Sequence, residues 1–208
     1  MKRFILPAAM AITISLSALP AFADAKTEAY VKKNANEVLA TLNSPSLSAP
    51  ERTAKFSEYM DQFADFDAIS NFVIGKYSRR FTPAELKTYR TAFRNYAMAV
   101  YENELDAYRG EAVTVKNSVD RSATDSIVNT VIKRQDGKDM DVRWRVQGKE
   151  GDYQVVDVAL NLDGNLIWLA IEQRAQFIAL LDQNNGSADA LINKINSMTE
   201  NVKTKKRS

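Results

Sequence analysis

Residues 66–108, FDAISNFVIGKYSRRFTPAELKTYRTAFRNYAMAVYENELDAY, decide the fold. They predict two amphipathic helices that meet at a joint. At this joint Thr82 can cap a helix, Pro83 suits the first helical position, and Glu85 can accept a hydrogen bond from the cap amide. Apolar residues recur at helical spacing before the joint (Phe66, Ile69, Phe72, Val73, Tyr77) and after it (Leu86, Tyr89, Phe93, Tyr96, Val100, Leu105). Such a long apolar stripe must be covered by another part of the chain.

The second half of the chain supplies that cover, because the pattern changes at Glu111 from helical to alternating. Runs rich in β-branched and aromatic residues predict four strands, within residues 113–115, 127–132, 140–146 and 153–160. The loops between them are short, so the simplest arrangement is an antiparallel meander. Residues 163–165, Asp-Gly-Asn, are expected to end the sheet.

Helical patterns flank the predicted sheet. Residues 24–42 and a segment beginning near Ser48 predict two helices before the opening stretch. A later helix is predicted over residues 166–181, and a last one begins at Ser187. The order of helices, strands and helices predicts an α+β fold, in which N- and C-terminal helices wrap a curved, antiparallel, four-stranded meander sheet.

Residues 1–23 have the pattern of a cleaved secretory signal peptide. A short basic start, an apolar run over residues 5–19 and small residues at positions 21 and 23 favour cleavage just before Asp24. The competing interpretation is an uncleaved membrane anchor. The mature chain, residues 24–208, is expected to be a single domain with a basic, frayed tail at residues 203–208.

Charge and cysteine content exclude several classes of protein. The precursor has 28 Lys and Arg against 26 Asp and Glu, and the signal peptide removes two of the basic residues. The mature chain is therefore neutral and lacks the charge expected of a protein that binds nucleic acid. Because the chain contains no cysteine, it is neither a lipoprotein nor a disulfide-stabilised scaffold.

The residue types needed for many catalytic sites are also missing. The chain contains no His and no Cys, which excludes Ser-His-Asp and Cys-His triads and zinc sites built on those ligands. We therefore expect no catalytic residues and no metal site, and predict that the protein is not an enzyme.

Asp157 is the one acidic residue within a nearly continuous apolar strand. Arg143 and Arg145 on the preceding strand could pair with it across the hairpin, so we interpret Asp157 as part of an ion pair on the solvated face of the sheet. The alternative is a catalytic acid acting with a tyrosine, which would require a cleft and a raised pKa.

Seven segments in this layout carry a family resemblance. They are DFDAI, VIGKY, FTPAE, FRNY, YRGEAV, YQVVDV and QRAQF, at residues 65–69, 73–77, 81–85, 93–96, 108–113, 153–158 and 173–177. Together the chain resembles the MlaC / toluene-tolerance family of periplasmic lipid carriers. It departs from the family at residues 161–166, NLDGNL, where an Glu-Gly-Val-Ser-like segment is usual. That departure leaves a hopanoid or another hydrophobic ligand as an alternative cargo.

The resemblance implies a periplasmic protein that holds the acyl chains of a phospholipid in an apolar cavity between its sheet and its helices. Such carriers move phospholipid between an outer-membrane lipoprotein complex and an inner-membrane ABC transporter, which are the expected partners. The lipid is cargo, and no cofactor is expected. We expect the carrier to be a monomer.

The facing of the predicted elements indicates which residues line the pocket. An aromatic stripe at helical spacing is also typical of a solid core, and a protein without a cavity would be an exported docking or adaptor module. Val155 and Val158 can face the same side of a strand only if a β-bulge lies between them. The predicted pocket residues are Phe72, Val73, Leu86, Tyr89, Phe93, Tyr96 and Val100 from the helices, Val142, Trp144, Val155 and Val158 from the sheet, and Trp168 and Phe177 from the later helix.

Overall fold

A computed structural model of the chain describes residues 25–108, 110–134, 137–162 and 164–205, without the side chains at 101–111, 134, 162 and 205. The predicted signal peptide and the last three residues of the predicted basic tail lie outside this range. The helices are α1 (Ala25–Asn43), α2 (Ala49–Phe63), α3 (Phe66–Ile74), a 3₁₀ helix (Gly75–Arg79), α4 (Pro83–Tyr108), α5 (Leu169–Gln183) and α6 (Ala188–Lys205). The strands are β1 (Gly110–Ser122), β2 (Asp125–Arg134), β3 (Asp139–Gln147), β4 (Gln154–Leu162) and β5 (Asn165–Trp168). Among the described helices, none combines the length and apolar character that crossing a membrane requires.

The five strands form one antiparallel sheet in the order β1-β2-β3-β4-β5. The predicted α+β class and the antiparallel meander are confirmed. The sheet does not end at residues 164–165, however, because Asn165 begins β5, which pairs with β4; Asp163 lies outside the described residues. Asn161 Oδ1 accepts a hydrogen bond from the Gly164 N–H at 2.9 Å, and Gly164 has φ +88°, which a residue with a side chain rarely adopts. Trp168 therefore ends β5. The prediction that it belongs to the later helix is wrong.

The predicted joint between the two central helices is confirmed. Glu85 Oε2 accepts hydrogen bonds from the Thr82 N–H and hydroxyl, both at 2.7 Å, and Thr82 Oγ1 accepts one from the Glu85 N–H at 3.3 Å. This reciprocal capping box starts α4. The helix before it is shorter than predicted, because Gly75 has φ +51° and ends α3, so that Tyr77 lies in the 3₁₀ helix.

Helices α1 and α2 cover the apolar face of the sheet. From α1, Ala35 and Leu39 pack against β1, β2, β3 and β4, while Val31 of α1 and Phe63 at the end of α2 pack beside them. The side chain of Asn36 also donates to the Val113 carbonyl oxygen at 3.3 Å and accepts from the Val113 N–H at 3.0 Å. This pair of hydrogen bonds ties α1 to the edge strand of the sheet.

A second core lies among the helices. Helix α6 packs along α4, and α3 packs against α5, which places the aromatic stripe of α4 inside a helical cluster. Tyr89 is fully buried there, and its hydroxyl donates to the Ser70 carbonyl oxygen at 2.9 Å. Two ion pairs, Arg90–Asp67 and Arg94–Asp61, join α4 to α3 and α2. Helix α4 is thus in contact with α6, α3 and α2.

A β-bulge at Val156 sets the facing of β4. Arg145 pairs with Asp157, whereas the next residue of β3, Val146, pairs with Val155, so Val156 is an extra residue in the strand. The bulge brings Val155 and Val158 to the same apolar cluster.

Removing the hydroxyl of Thr82 tests the joint. We expect Thr82→Ala to lower the free energy of unfolding by about 1 kcal/mol, because the first turn of α4 loses its cap. Thr88→Ala is the matched control on the same helix, since its hydroxyl only bonds back to the Ala84 carbonyl oxygen within the helix. Urea denaturation should shift the midpoint for Thr82→Ala alone. Equal midpoints for the two variants would contradict the assigned role of the cap.

Candidate functional site

Two apolar cavities flank strand β4. Cavity 1 lies between α1, α2 and the sheet and has a volume of about 100 Å³. Trp144 contributes its ring to the wall, while its indole N–H donates to Thr130 Oγ1 at 2.8 Å, so its polar atom is satisfied away from the cavity. The described lining residues are Ala35, Val38, Leu39, Leu42, Phe56, Met60, Phe63, Val113, Ile132, Met140, Val142, Trp144, Val158, Leu160 and Leu169.

Cavity 2 lies between α3, α4, β4 and the first turns of α5 and has a volume of about 420 Å³. It shares the lining residues Val158, Leu160 and Leu169 with cavity 1, so the two cavities adjoin. The described lining residues are Phe66, Ile69, Phe93, Tyr96, Ala97, Val100, Asp157, Val158, Leu160, Leu169, Ala170, Glu172 and Gln173. Its volume lies within the range of small-molecule binding sites.

The structure brings six of the predicted pocket residues to these walls. Val142 and Trp144 line cavity 1, and Val158 lines both cavities. Cavity 2 is also lined by Phe93, Tyr96 and Val100, which lie on the predicted face of α4. Burial also raises the pKa of the Tyr96 hydroxyl.

The other predicted pocket residues lie elsewhere. Val73, Tyr89 and Phe177 are buried in the helical core, because α6 covers the part of the stripe that had been assigned to a ligand. Phe72 is 40% exposed beneath the guanidinium of Arg174. The three remaining residues are Leu86, on a surface depression beside α3, Val155, in the cluster around Phe63, and Trp168, half-buried at the end of β5.

Sequence reasoning missed the contribution of α1 and α2. Val38, Leu42 and Met60 belong to apolar stripes that are visible in the sequence, but a stripe does not say whether its helix covers a cavity or a solid core. The departing segment at residues 161–166 contributes Asn161 and Leu162 to the end of β4 and Asn165 and Leu166 to the start of β5, and Asp163 lies outside the described residues. Its described side chains do not line either cavity.

Asp157 is 6% exposed and caps a helix. Its Oδ1 accepts hydrogen bonds from the Val158 N–H at 2.8 Å and from the Ala170 N–H, in the first turn of α5, at 2.9 Å. The N-cap residue of α5, Trp168, makes no side-chain cap of its own, so a carboxylate from the neighbouring strand performs that role.

The interpretation of Asp157 as a residue on the solvated face of the sheet is wrong. Arg145 lies opposite Asp157 in the register, but its guanidinium makes two hydrogen bonds to Asp125, at 3.1 and 2.8 Å. Burial raises the pKa of the Asp157 carboxyl, while the two backbone N–H groups and the charge of Arg145 act in the opposite direction. Asp157 is thus a buried acid on the wall of cavity 2.

The described residues hold no group of three or more potential metal ligands. Apart from Asp157 and the neighbouring Glu172 and Gln173, the described wall of cavity 2 consists of apolar and aromatic side chains. Such a wall is suited to hold a ligand by burial of apolar surface.

Comparison with known proteins gives a family and a fold. A family model described as MlaC protein matches residues 32–197. A solved structure of a phospholipid-binding protein from Ralstonia solanacearum, in complex with a phospholipid, is similar to this chain with a TM-score of 0.69 and 23% sequence identity. The similarity covers 84% of this chain and 97% of that one. No curated protein matches the chain.

The raised pKa of Asp157 predicts a pH-dependent stability. The folded protein binds the proton of this carboxyl more tightly than the unfolded chain does. The contribution of Asp157 is therefore fully present below its unfolded pKa and is lost as pH rises through the folded pKa. Asn in its place keeps an oxygen acceptor for the two backbone N–H groups but does not titrate.

We expect the stability of Asp157→Asn relative to the wild type to increase with pH and then reach a plateau above the raised pKa. Urea denaturation of both proteins at a series of pH values between about 3 and 8 measures this difference. A difference that stays constant across the series would contradict the assigned environment of Asp157.

Proposed function

The chain belongs to the MlaC family, and we propose that it is a soluble periplasmic carrier that binds the acyl chains of a phospholipid in cavities 1 and 2. We further propose that it exchanges this lipid with an outer-membrane lipoprotein complex and an inner-membrane ABC transporter, that it acts as a monomer, and that residues 1–23 direct its export. The observation that carries the proposal is the pair of adjoining apolar cavities.

The lining of these cavities suits an amphipathic ligand, because cavity 2 has polar residues beside a largely apolar wall. Cavity 2 is large enough to accept a ligand and is continuous in its lining with the smaller cavity 1. Val158, Leu160 and Leu169 line both cavities, so a change of their rotamers could let an acyl chain in cavity 2 extend into cavity 1. The fold of a protein that holds a phospholipid in its solved structure supports the same cargo.

The energetics of lipid transfer explain why such a protein needs no reactive group. Each buried methylene is worth about 0.8 kcal/mol, so a lipid with roughly 30 of them resists entering water by on the order of 20 kcal/mol. A carrier replaces the membrane interior with an apolar wall, and its affinity must stay close to that of the membrane for release to occur. The cleft and the raised pKa that a catalytic acid would require are both present at Asp157. Because its Oδ1 already accepts two backbone N–H groups, we propose that it acts as a helix cap.

Filling cavity 2 tests this function. Ala97 lies on the wall of cavity 2, and Ala97→Trp would occupy the space with an indole ring. We expect this variant to extract at least about tenfold less phospholipid from vesicles than the wild type, because the acyl chains lose their site. Uptake is measured with phospholipid carrying labelled acyl chains, after the protein is separated from the vesicles.

Asn95→Trp is the matched control, since Asn95 is exposed on the same helix. It adds the same ring outside the cavity and should extract phospholipid as the wild type does. Thermal unfolding of both variants confirms that they are folded. Equal extraction by folded Ala97→Trp and by Asn95→Trp would contradict binding in cavity 2.

A further inference from the structure

Cavity 2 has a polar end where β4 meets the first turns of α5. The three polar residues of its described lining that lie there are Asp157, Glu172 and Gln173. Glu172 is exposed, whereas Asp157 is 6% exposed, so this end runs from solvent into the protein. An amphipathic ligand would place its polar group at this end and its apolar part among the side chains of α3 and α4.

The polar end carries negative charge. Both ionisable residues there are carboxylic acids, and the described lining of cavity 2 includes no Lys or Arg. Arg145 lies close to Asp157, but its guanidinium is bound to Asp125. The N-terminus of α5 would otherwise attract a phosphate, but the carboxylate of Asp157 already accepts the Ala170 N–H. A ligand group with a net negative charge would therefore meet like charge.

Gln173 adds a hydrogen-bond donor to this end of the cavity, whereas Asp157 and Glu172 supply acceptors. Its side-chain Nε2 is buried and has no hydrogen-bond partner among the described residues. A buried donor without a partner is unfavourable, so a rotation of the Gln173 side chain that brings Nε2 to a ligand oxygen in cavity 2 would be favoured on binding. The polar end thus presents carboxylate acceptors beside one unsatisfied amide donor.

We infer that the polar end of cavity 2 selects phospholipids whose headgroup carries a primary ammonium over those whose headgroup is anionic. The ammonium donates to the carboxylates of Glu172 and Asp157, and an ester or phosphate oxygen of the same lipid accepts from Gln173 Nε2. This inference rests on the proposed function, because it presupposes that the acyl chains lie in the cavities.

Competition between two headgroups tests the inference. The purified protein is incubated with vesicles of equimolar dioleoyl phosphatidylethanolamine and dioleoyl phosphatidylglycerol, both with deuterated acyl chains so that newly bound lipid is distinguished from copurified lipid. Native mass spectrometry then gives the ratio of the two bound lipids. We expect the ethanolamine lipid to exceed the glycerol lipid by at least about tenfold, because like-charge contacts disfavour the anionic headgroup.

Substitution of the two acids should remove this preference. We expect the ratio to fall below about threefold in the double variant Asp157→Asn with Glu172→Gln, and to fall partway in Glu172→Gln alone, which changes an exposed residue and should fold normally. Glu58→Gln, an exposed acid on α2 outside both cavities, is the control and should keep the wild-type ratio.

The outcomes separate the two proposals. Wild-type protein that takes up both lipids equally, or prefers the anionic one, overturns the inference and leaves the carrier function standing. A preference that survives in the folded double variant also overturns it. Wild-type protein that takes up neither lipid overturns the carrier function itself.

Discussion

The carboxylate of Asp157 joins the two halves of the molecule. It extends from β4 to the Ala170 N–H and so fixes the first turn of α5 against the sheet. Helices α3 and α6 pack against α5, and α6 packs along α4, so this contact helps to position the helical core against the sheet, together with the hydrogen bond from the Asp65 N–H to the Val155 carbonyl oxygen. Strand β4 thereby stands between two cavities, one under α1 and α2 and one under α3, α4 and α5.

The bulge at Val156 makes that arrangement possible. In a regular strand Val155 and Val158 would face opposite sides, and Asp157 would share its face with Val155. The extra residue changes the alternation, so that both valines join the apolar face while Asp157 lies opposite Arg145 and near α5. One irregular residue thus places Val155 and Val158 on the apolar face of the sheet and the Asp157 carboxylate beside α5 within a single short strand. The burial of Asp157 is tolerated because its carboxylate accepts two backbone hydrogen bonds.

Local signals in the sequence were sufficient for most of the fold. The capping box at Thr82 and Glu85 involves residues three apart, and the alternation of Met140, Val142 and Trp144 needs only one strand to be recognised. Strand β5 was missed because Leu166 and Leu169 are three residues apart and continue into a real helix, so a short strand looked like the first turn of that helix. Its pairing with β4, from Leu162 opposite Asn165 to Ala159 opposite Trp168, reveals it.

The candidate site was harder to predict, because its walls depend on which element covers each stripe. Phe93 and Tyr89 lie on the same stripe of α4, yet Phe93 reaches cavity 2 whereas Tyr89 is closed off in the helical core. Packing between distant segments makes that distinction, and periodicity contains no information about it. The role of Asp157 was hidden for the same reason, since its partner Ala170 lies thirteen residues away on another element.

The central claim is that the two cavities together hold a lipid. It is tested most directly by native mass spectrometry of the protein purified from the periplasm without detergent, followed by solvent extraction of the bound species. We expect an added mass that dissociates and is identified as a phospholipid. Protein that is wholly unliganded, and that remains so after mixing with phospholipid vesicles, would contradict it and would favour an exported docking module.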